Sequence, residues 1–68
     1  MQLKDLKSVL RSQTGSIQHC IVYDLNKCED VEHGCSAEYA INNYGERVVG
    51  RIYSCIEHGQ DYIVIEVV

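Results

Sequence analysis

Apolar and polar positions change period several times along the chain, and each change marks an element. Leu3, Leu6 and Leu10 recur at helical spacing with Val9 beside them, while Lys4, Asp5, Lys7 and Arg11 fall elsewhere on the wheel. This predicts an amphipathic helix over residues 2–12, ended by the Ser12 to Gly15 stretch. The period then drops to two. Residues 16–24 read as a strand, with Ile17, His19, Ile21 and Tyr23 on one face and Gln18, Cys20, Val22 and Asp24 on the other. Both faces carry apolar residues, so this strand is expected in the middle of a sheet. Leu25-Asn26-Lys27 is a turn, and residues 28–34 are a weaker, acidic edge strand closing a hairpin.

Ser36 is an N-cap candidate for a second helix over residues 36–44. There Ala37, Ala40, Ile41 and Tyr44 form one apolar stripe, and Glu38 sits in the favourable first turn. Residues 46–57 alternate again. Val48, Ile52 and Ile56 share a face with Gly50 and Ser54; Val49, Arg51, Tyr53 and Cys55 share the other. Gly50 is the place for a bulge or for the close approach of a helix. His58 to Asp61 reads as a hairpin connection into a last strand over 62–68. The expected fold is α+β in the order α-β-β-α-β-β, one domain over residues 1–68. It has a four-stranded, mainly antiparallel sheet with two helices on one face. Leu3, Leu6, Leu10, Ala40, Ile41 and Tyr44 supply the helical side of the core.

With both helices on one face, the other is left with Val49, Tyr53, Tyr62 and Val64. That is more apolar surface than a lone chain usually shows. Tyrosine suits such a surface because it buries area and keeps a polar tip. These four residues are the candidate interface, with a homodimer through this face or an edge strand as the expected use.

Charge narrows the partner. The net formal charge is −4. Lys4, Lys7 and Arg11 meet one acid, Asp5, in the first segment, whereas Lys27, Arg47 and Arg51 stand against all the remaining acids. An acidic body argues against tracking phosphates, which needs a basic face. No stretch has the length and apolarity of a membrane span or a signal peptide, so the expected location is the cytoplasm. There the four cysteines read first as reduced thiols.

The thiols suggest two further chemistries. Cys28, His33, Cys35, Cys55 and His58 are the ligand types zinc prefers, and four of them converging would stabilise a short chain. The spacings hold no paired knuckles, so a zinc-stabilised domain is the alternative reading. A Cys28–Cys35 disulfide is sterically conceivable but needs an oxidising compartment. A cysteine nucleophile would use Cys55 with His58 or Cys35 with His33, but neither pair sits on a catalytic turn. Asp24, Glu29, Asp30 and Glu32 gather acids around the first hairpin without matching a calcium-loop pattern.

An opening LKDLKSVL helix, a strand ending in VYD, a short helix before ERVVGRIYS, and a terminal YIVIEV strand occur in that order. This arrangement resembles small uncharacterised α+β proteins encoded in prophages and mobile elements of Gram-positive gut bacteria. The resemblance implies a non-enzymatic accessory domain that binds, and so modulates, a host protein. It assigns no functional residue.

Overall fold

A computed structural model describes residues 1–7 and 19–68. The strands are β1 (Cys20–Asp24), β2 (Glu29–Cys35), β3 (Val49–Glu57) and β4 (Gln60–Val67), and the helix is α1 (Ala37–Tyr44). The sheet order is β2-β1-β4-β3. β1–β2 and β3–β4 are antiparallel hairpins, but β1 and β4 run parallel, with Val22 opposite Ile65. The sheet is therefore mixed, not mainly antiparallel. Its topology follows from α1, which carries the chain from edge strand β2 to the opposite edge, β3. The β3–β4 hairpin then folds inward and sets β4 beside β1, pointing the same way.

The expected pair of helices is corrected at its start: among the described residues α1 is the one complete α-helix, Leu3–Leu6 is a single 3-10 turn, and α-helical conformation begins only at Lys7. Val9, Leu10 and the rest of the predicted 2–12 helix, like the 16–18 end of the predicted strand, lie outside the described residues. The first backbone amides are taken by tertiary partners. Leu3 N donates to Arg47 O and Lys4 N to Gly45 O, each at 2.9 Å, and Gln2 bridges to Val48. Asp5 N reaches back three residues to Gln2 O, which tightens the turn to 3-10.

Alternation builds the core as expected on the middle strands. Cys20, Val22, Ile65 and Val67 face Ala37, Ala40 and Ile41 of α1, and Leu3 closes the end. Ser36 caps α1 by accepting from Tyr39 N at 3.0 Å. Tyr39 and Tyr44 both donate their hydroxyls to Glu32 of β2, at 3.3 and 3.0 Å, which fastens the helix to the edge strand. Burial raises the Tyr44 pKa, with the Glu32 bond adding to it; the Glu32 charge raises that of Tyr39.

The β3–β4 hairpin turns on His58 and Gly59, both at positive φ (53° and 78°). A type I′ turn requires this, and its twist matches the flanking strands. The register of β3 against β4 slips between Val49 and Arg51, so Gly50 does mark a bulge. The slip changes the phase of the strand. Val49 packs against the core on the α1 side, whereas the alternation had assigned it to the uncovered face.

Candidate interaction surface

The face of the sheet away from α1 is roofed by its own side chains. Ile21 and Val64 lie at its centre, 2% and 5% exposed. The Tyr62 ring stands edge-on to His19 (centroids 5.5 Å apart) and tilted against His33 (5.0 Å). His33 belongs to β2 and Tyr62 to β4, so their contact passes over β1 at Ile21, the register partner of His33. His33 Nε2 also lies 3.4 Å from Glu57 Oε1, at the far end of β3. In a flat sheet β2 and β3 would be about 14 Å apart, so both side chains lie along the face and the hairpin curls toward it. Gln60, beside the turn, hydrogen-bonds to His19.

The other half of this face is ionic. Arg51 donates Nε and Nη2 to the two oxygens of Glu66, its register partner, at 3.0 and 3.1 Å. Its guanidinium lies 4.8 Å from the centre of the Tyr53 ring. The Arg51 bond holds the buried Glu66 carboxyl below its ordinary range. Three of the four candidate interface residues (Tyr53, Tyr62 and Val64) therefore sit on one face, but Val64 is buried and Tyr62 is engaged with two imidazoles. Tyr53 alone of the three is freely exposed, at 41%.

Exposed apolar area concentrates instead on β3 and its end. Ile52 (38% exposed) and Ile56 (73%) point to the α1 side, beyond the reach of that eight-residue helix. Val48 and Val68, joined by a Val68 N to Val48 O bond, are also exposed. β3 is an edge strand of nine residues, and no described strand pairs with its outer side. Alternation indicated the outward Tyr53 but gave no sign that Ile52 and Ile56, on the core side, would be uncovered. That depends on the length of α1 and the place of β3 in the sheet.

The Cys and His candidates for zinc are dispersed. Cys28 is in the β1–β2 turn with its thiol 3.6 Å from Leu25 O, and Cys35 is at the other end of β2 beside Cys20 O. Cys55 is on β3, His58 is in the hairpin turn, and His33 lies against Tyr62. Among the described residues no three Cys, His, Asp or Glu side chains gather in a way that could hold a metal ion. Cys28 and Cys35 bracket β2, roughly 20 Å of strand apart, which separates them too far for a disulfide. All four thiols are free.

Of the nucleophile candidates, Cys35 packs against the core on the α1 side, whereas His33 lies against Tyr62 on the opposite face. Burial pushes the Cys35 thiol up to about 11, with Cys20 and Glu32 adding to it, and burial also raises Cys20. Both are protonated at neutral pH. A surface depression lies at the C-terminal end of α1, among Lys4, Asn42, Asn43 and Glu46, and no cysteine lines it. The acidic quartet is split as well: Asp24 is buried on Arg47, Glu32 is held by two tyrosines, and Glu29 and Asp30 are exposed.

No helix among the described residues is long and apolar enough to cross a membrane. No protein-family model, curated protein or solved structure matches the chain.

Proposed function

We propose that this chain is a non-enzymatic protein-interaction domain whose contact element is β3. The observation that carries the reading is the coincidence of Ile52, Tyr53 and Ile56, all exposed, on an edge strand whose outer side no described strand pairs with. Edge strands are ordinarily blunted by Lys, Pro, inward-pointing charges or a covering element. The stretch from Ile52 to Ile56 carries no charge and no proline. A partner strand laid along it would satisfy backbone groups and cover the isoleucines together. An accessory protein of a mobile element would act by occupying the surface of a host protein, and the acidic body outside β3 favours a basic surface on that partner.

Photocrosslinking tests the reading. A benzophenone amino acid replaces Ile56 in one variant and Glu38, exposed on α1, in another. Adducts with protein, a second copy of the chain included, are expected from position 56 and not from position 38. Equal yields at the two positions, or none at 56, would remove β3 as the contact element.

A further inference from the structure

We infer that the strand that covers β3 is β3 of a second copy, antiparallel and centred on Ser54, making one eight-stranded sheet from two four-stranded ones. This rests on reading β3 as the contact element and names its occupant.

The register comes from the direction of the backbone groups. In a two-residue hairpin the residues flanking the turn exchange hydrogen bonds, so Glu57 and Gln60 are a bonded pair. Counting back by twos, Cys55, Tyr53 and Arg51 also turn their N–H and C=O groups toward β4. The groups of Ile52, Ser54 and Ile56 therefore point out of the sheet edge. A twofold antiparallel pairing must match outward groups with outward groups, which permits centres at Tyr53, Ser54 or Cys55.

Side chains decide among these. A Tyr53 centre sets Arg51 against Cys55 and leaves Glu57 opposite Val49. A Cys55 centre sets Arg51 against Gly59 in the turn and Glu57 against Tyr53. The Ser54 centre sets Arg51 of each copy opposite Glu57 of the other, two complementary charge pairs on one face. It sets Ile52 opposite Ile56 on the α1 side, also twice, so the most exposed isoleucine gains an apolar neighbour. Arg51 spends Nε and Nη2 on Glu66, so Nη1 is the atom left for the second carboxylate.

The other edge of the sheet explains why the assembly would stop at two. β2 presents Glu29, Asp30 and Glu32, so two β2 edges repel one another. Pairing β3 with β3 leaves an acidic β2 at each end of the eight-stranded sheet. The contact is then closed and isologous, not an open filament.

Sedimentation of the full chain, with disulfide trapping, tests this. The 7.7 kDa chain is expected to sediment at twice that mass. Ser54→Cys, in a chain also carrying Cys28→Ser and Cys55→Ser, is expected to form a disulfide with its own counterpart on mild oxidation. Bonded antiparallel pairs hold Cα atoms about 5.5 Å apart, within the disulfide range. Glu57→Lys is expected to raise the dissociation constant about tenfold or more by setting like charges opposite each other twice. Circular dichroism identifies any variant that has simply unfolded. A folded chain that stays monomeric at every concentration overturns the inference. So does a dimer whose Ser54→Cys thiols do not join, or one indifferent to Glu57→Lys. If the chain is monomeric yet position 56 still crosslinks to another protein, the contact element stands and the second copy is excluded.

Discussion

Arg47 donates Nη2 to Asp24 Oδ2 at 2.9 Å, while its Nε donates to the Val68 carbonyl at 2.8 Å. One side chain thus joins the end of β1, the end of the chain and the α1–β3 connection. Asp24 is 2% exposed and completes its bonding through Oδ1, which accepts from Asn26 N at 2.8 Å and Lys27 N at 3.1 Å. The carboxylate therefore organises the β1–β2 turn and anchors the far side of the fold at once.

Acid should release this clamp. The Arg47 bond holds the Asp24 carboxyl below its ordinary value; burial opposes that, and the Lys27 and Asn26 amides reinforce it. A depressed folded pKa contributes stability that is fully present above the unfolded value, about 4 for an aspartate. The contribution is lost as pH falls through the lower folded value. Glu66, lowered by Arg51, shares the sign. Melting temperature measured from pH 7 down to pH 2 is expected to fall below about pH 4. Asp24→Asn should melt lower at neutral pH and show a shallower acid decline. An unchanged profile in that variant would show that Asp24 is not an anchor.

Thiol reactivity should follow burial and not the Cys–His spacing. Cys28 is exposed; Cys20 is fully buried; Cys35 is half-buried with its thiol up to about 11. The thiolate is the reacting species, so at pH 7.5 iodoacetamide should modify Cys28 first and leave Cys20 and Cys35 intact in the folded chain. Peptide mass spectrometry over time reads this directly. Labelling of Cys35 should accelerate only as pH approaches 11 or as the chain unfolds. Rapid modification of Cys35 at neutral pH would contradict its environment.

These two sites show what the chain's pattern could convey. Alternation located all four strands, because residues two apart face the same way whatever the neighbours are. The cap at Ser36 was legible for the same local reason. Strand order was not, since it depends on how far α1 carries the chain across the sheet. The N-terminal helix failed at Leu3 and Leu6, whose spacing of three suits a 3-10 turn as well as an α-helix. The amides of Leu3 and Lys4, bonded to Arg47 and Gly45, are long-range facts. The face of Val49 was misread because a single extra residue at Gly50 inverts everything before it. The buried acids were invisible because their partners lie 23 and 15 residues away, at Arg47 and Arg51.

The N-terminal segment is expected to be integral to the fold, not an appendage. Leu3 is fully buried and belongs to the same apolar cluster as Val22 and Ile65. Leu3→Ala should therefore cost about as much as Ile65→Ala, roughly 2–5 kcal/mol in urea unfolding. A cost under about 0.5 kcal/mol, typical of surface positions, would detach Leu3 from the core.

Gly45 should be the least replaceable residue of the α1–β3 connection. It is buried, and its carbonyl accepts from Lys4 N. A β-carbon there would run into the Ile41 backbone oxygen and lie 3.3 Å from Lys4 Cβ. The first neighbour is main chain and cannot step aside, so α1 or the 3-10 turn would have to shift, and with it the seat of Leu3. Gly45→Ala should cost about 1–3 kcal/mol through overpacking of this kind. Gly59 offers the informative contrast: nothing lies within 4 Å of its added carbon, but its φ of +78° penalises any side chain. Gly59→Ala should cost about 1 kcal/mol through backbone strain alone. Gly59→Asn should recover part of that loss, because asparagine tolerates the left-handed region. Gly45→Asn should recover nothing. Chemical denaturation of the four variants separates the two causes, and recovery at position 45 would mean that close approach is not what requires glycine there.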